Sequence, residues 1–342
     1  MRPDQYSEDD AKIRPARRNK RPRSKDRPAH ADAKPGLVTA VDRGRYTVHL
    51  GKVLPEVPLW ATASSHQTPV TAVRARELGR GAVLVGDVVD LVGDTSGTVG
   101  SLARVVRIWP RVTTLTRTVD DQLDSERAVV ANAGVMGIVT ATTDPEPRTG
   151  FLDRCVMAAF SGGLQPVLIL TKSDLDLNPA LAAHYSSLGV SVVRAGTDDA
   201  VTELMQFLEG NLSVLIGQSG VGKSTLVNRL TDSQRRIGEV NDVTGQGRHT
   251  STSAVALPLA GAGWVIDTPG IRSFGLAHVN LDRVFASFPE LEPALADCPR
   301  GCSHLPPDCA IDAWLQTADV DPGVTETLAS IRRVIRSRDL TP

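Results

Sequence analysis

Aromatic residues make up only 4% of this 342-residue chain, with four Trp, three Tyr and six Phe. So few rings argue against a surface built chiefly on base stacking, for which Tyr46, Trp60 and Trp109 are the clear candidates. Cysteine is equally scarce. Cys298, Cys302 and Cys309 sit together and Cys155 stands alone in an apolar stretch, which speaks against a disulfide framework and for a metal. No apolar run approaches the roughly 18 to 20 residues of a membrane span, and the basic start is not followed by an apolar signal core. The expectation is a cytoplasmic protein with no membrane partner. Acidic residues are nearly missing from one stretch, where Lys12, Arg14, Arg17, Arg18, Lys20, Arg21, Arg23, Lys25 and Arg27 face only Asp26, an asymmetry hidden by the net charge of -1. What is present, 41% apolar and 23% charged residues, suits a globular chain of two or three domains with a real core.

Residues 1–35 lack large apolar side chains and cannot offset the entropy of ordering, so they are expected to form a disordered basic arm. Over 36–112 the texture is β-rich: Leu37 to Val41, Tyr46 to Leu50, AVLVGDVVDLV at 82–92 and ARVVRIW at 103–109 suggest a small five-stranded OB barrel. Over 113–280 short apolar runs at 135–141, 166–171, 190–195, 212–217 and 263–267 are interspersed with helix-like stretches at 152–160 and 201–209. That pattern predicts a parallel sheet covered on both faces. Residues 281–342 hold the Cys/His cluster and an amphipathic helix candidate, ETLASIRRVIRSRDL.

Gly217, Gly222, Lys223 and Ser224 fit G-x-x-x-x-G-K-[ST] directly after a strand and at the opening of a helix. The segment Gly217, Gln218, Ser219, Gly220, Val221, Gly222, Lys223, Ser224, Thr225 is expected to wrap phosphates. Its glycines let backbone amides point inward, Lys223 reaches the β and γ oxygens, and Ser224 offers its hydroxyl to Mg²⁺. Downstream, WVIDTPG places Asp267 at a strand end, where it can hold magnesium through water, and Gly270 in a turn that can sense the γ-phosphate. The loop begins more than halfway along the chain, however, and nothing after Gly270 supplies a carboxylate for the guanine edge. The candidate lies upstream, in PVLILTKSD: Thr171, Lys172, Ser173 and Asp174 follow an apolar strand, with Asp174 positioned to pair with guanine N1 and N2. Base reader, phosphate loop and DTPG thus run in circularly permuted order. A permuted sheet keeps its site if the old termini were close.

This arrangement resembles one family, the ribosome small-subunit-dependent GTPase A proteins, over about Gly36 to Ala310, with GQSGVGKSTLVNRL, GRHTSTS and DTPGIRSF its most specific stretches. The resemblance implies an OB barrel, a circularly permuted α/β P-loop GTPase domain and a small α-helical zinc-binding domain. It implies that Gly247 to Ser253 form the first switch, that Thr250 or Thr252 closes on Mg²⁺ and the γ-phosphate, and that His249 helps position the attacking water. Ile271, apolar, stands where many GTPases have a water-orienting Gln. Partners so implied are GTP and GDP, the 30S subunit and its 16S rRNA, bound by a monomer. Two departures are visible: Thr171 in place of the commoner Asn, and Arg194-Ala195-Gly196 in place of a Ser-Ala loop, which leaves open what supports guanine O6.

CPRGCSHLPPDC carries Cys298, Cys302, His304 and Cys309, three soft thiolates and an imidazole within a dozen residues, the donor set of a closed structural zinc site. The family pattern is one residue longer in each of the two wider gaps. The sequence reading is a GTP hydrolase acting in late maturation of the 30S subunit. Its rivals are an RNA-binding assembly factor holding GTP as a structural ligand with negligible turnover, and a P-loop ATPase or kinase.

Overall fold

The computed structural model describes residues 30–54, 57–63, 65, 68–79, 83–118, 126–196, 201–231, 254–268, 279–299, 301–307, 309–317 and 320–339. The arm expected over 1–35 falls almost wholly outside these residues. Strands β1 (Lys34–Asp42), β2 (Arg45–Leu50), β3 (Val70–Arg74), β4 (Val88–Gly93) and β5 (Ala103–Ile108), with the single-turn helix α1 (Leu59–Thr62) between β2 and β3, lie in the order β1-β2-β3-β5-β4. Strand β4 returns to β1, Leu37 opposite Val88 and Lys34 opposite Leu91, and so closes a five-stranded barrel of the OB type. Alternate residues point inward, and Val38, Tyr46, Val48, Val70, Ala72, Val89, Leu91, Ala103 and Val105 fill the interior. The run 82–92 is not one strand. Gly86 sits at φ +90°, where a Cβ would stand 2.0 Å from the carbonyl oxygen of Ala131, so the chain turns there and the regular strand begins at Val88.

A hairpin of β6 (Thr114–Thr118) and β7 (Glu126–Ala131) leads into the second sheet. Its strands are β8 (Val135–Ala141), β9 (Gln165–Thr171), β10 (Ser191–Arg194), β11 (Leu212–Gly217), β12 (Val255–Pro258) and β13 (Trp264–Asp267). They are ordered β10-β9-β8-β11-β13-β12 and are parallel except at β12. Every residue of β8 is buried, as near-continuous apolar runs require when helices cover both faces. On one face α2 (Thr149–Gly162) and α3 (Pro179–Ser187) pack Leu152, Cys155, Val156, Leu181 and Tyr185 against Met136, Ile138 and Leu168. On the other, α4 (Thr202–Leu208) and α5 (Lys223–Leu230) pack Leu204, Leu208, Leu226 and Val227 against Val139, Val167 and Leu215.

Barrel and sheet are joined by several contacts. Strand β1 pairs with β12 at Ala40 and Val255, and Trp264 Nε1 donates to the Trp60 carbonyl at 3.0 Å. Asn132 donates to the Gly86 carbonyl and accepts from the Val112 amide, both at 2.9 Å, while Arg111 grips the buried Asp87 at 2.7 and 2.9 Å.

The C-terminal part is helical: α6 (Leu281–Ala286), a 3₁₀ turn at Pro289–Leu291, α7 (Glu292–Ala296), α8 (Ala310–Thr317) and α9 (Pro322–Asp339). Leu328, Ile331, Val334 and Ile335 of α9 recur at helical spacing and face Phe285, Leu291 and Ile311, with Met157 of α2 in the same core. Among the described residues no helix is long and apolar enough to cross a membrane.

Candidate nucleotide site and metal centre

Strand β11 ends at Gly217, where a Cβ would lie 2.6 Å from the Val139 carbonyl, so only glycine lets the chain leave the sheet this close to β8. Gly220 and Gly222 adopt φ of +83° and +86°, and between them Val221 buries its side chain in the core beside Leu226. The loop is therefore pinned at Val221 while Ser219 and Gly220 face outward. Helix α5 opens at Lys223 with no side-chain cap from Gly222, which leaves its first amides for an anion. Lys223 pairs through Nζ with Asp267 Oδ1 at the end of β13, and Thr268 Oγ1 donates to the Leu215 carbonyl at 2.9 Å, holding the strand end against β11. Ser224 and Thr225 are exposed at the helix start.

The upstream TKSD turn meets this loop in space. Thr171, buried at the end of β9, has its hydroxyl 2.5 Å from the Val221 carbonyl and 3.1 Å from the Thr140 carbonyl. A residue some fifty positions earlier is thus held on the back of the phosphate loop, because β9, β8 and β11 are consecutive neighbours in the sheet. Lys172 takes the left-handed φ of 56°, unusual for a side chain with a Cβ, and turns the chain so that Asp174 stands exposed at the sheet edge. Its Nζ donates to the Asp144 carbonyl, which holds the aliphatic stem down. Ser173 is buried.

Residues that sequence reasoning missed hold this turn. Thr142 donates to the Lys172 carbonyl at 2.9 Å, and Asn178 Nδ2 donates to the Thr142 carbonyl at 3.0 Å while its Oδ1 caps α3 at the Leu181 amide. Asn178-Pro179 was readable as a cap followed by a first-turn proline. Nothing in the sequence marks Thr142. His249, Thr250, Thr252 and Gly270 lie outside the described residues, as does the whole segment Gly247 to Ser253.

In the C-terminal helical part Cys298, Cys302, His304 and Cys309 converge, one ligand atom from each lying within 4.8 Å of all the others. Cys298 Sγ stands 3.9 Å from Cys309 Sγ and 3.7 Å from His304 Nδ1. A tetrahedron with metal–sulfur bonds of about 2.3 Å has edges of about 3.8 Å, which these two donor pairs match, so the group can close on a four-coordinate ion. Burial, and then the neighbouring Cys309, push the Cys298 thiol up to about 11; a bound cation would reverse that shift by stabilising the thiolate. Burial also lowers the His304 pKa, which favours the neutral imidazole a metal needs. His304 is packed against the Phe285 ring at 4.4 Å, and its carbonyl accepts from Arg332 Nε at 2.8 Å. Arg332 in turn forks onto Asp312 at 2.6 and 2.8 Å.

The model of the RsgA GTPase family matches residues 108–277. The small ribosomal subunit biogenesis GTPase RsgA of Pseudomonas aeruginosa (strain LESB58) is 40% identical over 222 residues, which are 62% of this chain and 64% of that protein. The alignment thus spans a little under two thirds of that relative's length. The protein of the same name from Pseudomonas fluorescens (strain SBW25) is 39% identical over 245 residues, 68% of this chain and 69% of the relative. Among solved structures, the circularly permuted GTPase YloQ superposes with a TM-score of 0.60 at 20% identity, covering 93% of this chain and 99% of its own. YjeQ from Thermotoga maritima gives 0.59 at 22% identity, covering 91% and 99%. The permuted order of TKSD, phosphate loop and DTPG on a barrel-sheet-helix framework is therefore that of a known fold, and the chain belongs to the RsgA GTPase family.

Proposed function

We propose that the protein hydrolyses GTP to GDP and phosphate and acts in biogenesis of the small ribosomal subunit, the role its Pseudomonas relatives carry in their names. The observation that supports the reading is the contact of Thr171 with Val221, which brings the TKSD turn and the glycine-rich loop together at one end of the sheet. In this reading Asp174 accepts from guanine N1 and N2, the Lys172 stem lies along the base, and Ser173 backs the turn. The amides of Gly217 to Thr225 cradle the phosphates.

Lys223 and Asp267 neutralise each other through their ion pair; a γ-phosphate would take Lys223 and a hydrated Mg²⁺ would take Asp267, so ligand and cation together replace one pair by two. Ser224 and Thr250 would complete the magnesium shell, and Gly270 would report the γ-phosphate. His249 would orient the attacking water, a task that the apolar Ile271 cannot perform. The Cys₃His set is proposed to hold one structural Zn²⁺, since four protein donors leave no open position for a substrate. The barrel and the metal-bearing helices are proposed to contact 16S rRNA of the 30S subunit, with the protein acting as a cytoplasmic monomer.

The test is multiple-turnover phosphate release from GTP, with and without 30S subunits, for the wild type and for Lys223→Ala. We expect slow release alone, acceleration by the subunit, and loss of both in the variant. Binding without turnover under either condition would replace this reading by that of an assembly factor with GTP as a structural ligand. Equal use of ATP would remove the base assignment.

A further inference from the structure

Beside the metal loop, α6, the 3₁₀ turn and α7 enclose a cleft of about 630 Å³, within the range of roughly 300–1,000 Å³ that ligand clefts occupy. Phe285, Phe288 and Leu295 give it an apolar wall. Both rings are braced from behind: Phe285 lies against the His304 ring at 4.4 Å, and Phe288 meets Phe160 of α2 edge-on at 5.1 Å. Cys298 and Cys302, half-buried, face the cleft from the metal loop. Asp282 in the first turn of α6 and Glu292 in the first turn of α7 line it as exposed carboxylates.

The charge of this cleft has one sign. Among the described residues that line it there is no Lys or Arg, and Arg283, next to Asp282, turns instead to the Ser161 carbonyl of α2 at 3.5 Å. Over the whole of 281–309 five carboxylates stand against two arginines. Three thiolates around one Zn²⁺ would add a further excess negative charge. Burial lowers the His304 pKa and the Asp282 carboxylate opposes that fall, so the field of this acid reaches the metal loop.

An RNA backbone is repelled from such a cleft, and a wholly apolar segment would leave two carboxylates unpaired beside it. A long cationic side chain satisfies both walls, its stem against the phenylalanines and its head toward the acids. A guanidinium suits the place better than an ammonium, because it is planar, weakly hydrated and able to fork onto a carboxylate while packing on a ring.

We propose that this cleft docks an arginine-bearing segment of a partner protein, so that the metal loop forms one wall of a protein-binding site. The contact with rRNA proposed above is thereby left to other faces of the molecule. The zinc centre is taken from that reading only for its charge.

The experiment is a titration of full-length, zinc-loaded protein into a labelled peptide of alternating Arg and Gly, followed by fluorescence anisotropy. A peptide with Lys for Arg and a single-stranded RNA of matching length serve as competitors. We expect the Arg peptide to bind and the Lys peptide to compete several-fold more weakly. Asp282→Asn combined with Glu292→Gln should weaken binding by about tenfold. Glu290→Gln combined with Asp297→Asn removes as much charge from exposed positions of the same stretch that do not line the cleft, and should change affinity by less than about twofold. Should the cleft variant lose its zinc, Glu292→Gln alone takes its place. An equal loss in both paired variants would overturn the proposal by showing diffuse attraction only, and so would absence of binding to the Arg peptide. RNA that displaces the peptide from the wild type would assign the cleft to nucleic acid instead. Binding is read without nucleotide, so failure of the GTP reading would leave this result unchanged.

Discussion

Thr171 shows how much one hydroxyl can organise. It stands where an amide side chain is commoner, and the loss of that amide looks like a weakness until the position of the Val221 carbonyl is known. Replacing Thr171 by Val leaves the volume intact but strips a buried carbonyl of its nearest donor, at a cost of about 1–3 kcal/mol. We expect GDP affinity in Thr171→Val to fall by roughly tenfold or more, and Thr171→Asn, whose amide can reach the same carbonyl, to bind nearly as the wild type. Isothermal titration of both variants decides the matter, and equal affinities for Val and wild type would show that the tie does not serve the ligand. Single residues differ in how legible they are. Gly217, Lys223 and Asp174 stand out in the sequence because each sits in a motif whose spacing suggests a chemistry. Thr142 does not, because it acts on a backbone carbonyl far away in sequence, and a carbonyl looks the same in every residue.

Among the elements, the loop that joins α7 to α8 has almost no core of its own. Its Cys/His donors stand in for one, so the proposed zinc should contribute on the order of ten kcal/mol to ordering this part. Elemental analysis of purified protein should return one zinc per chain. Cys309→Ser, or a strong chelator, should release the metal, unravel the C-terminal helices as followed by proteolysis, and leave GDP binding in place. Intact helices after complete removal of zinc would contradict the structural role. Strands were legible in proportion to their burial: β8, β9 and β11, buried on both faces, stand out as continuous apolar runs. The short β12, mostly half-buried where it bridges β13 to β1, and the two-stranded hairpin β6–β7 gave no such signal, since neither is a strand buried on both faces. The start of β4 was misread because a valine-rich run looks like a strand even where Gly86 must turn against the Ala131 carbonyl.

Across the whole molecule, adjacent residues of α9 join two regions. Arg332 reaches the metal loop through His304 and Asp312, and Arg333 reaches the buried Asp153 of α2 at 2.7 Å. Asp153 also accepts from the Tyr185 hydroxyl at 2.9 Å, in the helix that Asn178 caps beside TKSD. Because Arg333 is half exposed, the value of the pair is discounted, and Asp153→Asn should cost about 1–2 kcal/mol. The expected signature is thermal unfolding in which the C-terminal helices melt before the GTPase sheet, seen as two calorimetric transitions. A single unshifted transition would show that apolar packing of Met157 and Phe160 alone holds the units together. The sequence by itself determined which motifs are present, because the phosphate, base and metal recognition proposed for them each need particular side chains at short spacing within one loop. It also determined their permuted order along the chain. Only the tertiary structure decided that these loops meet, that β4 closes the barrel on β1, and that α9 joins the metal loop to α2. Those outcomes depend on strand neighbours and carbonyl positions set by non-local pairing, which no local pattern of residues encodes.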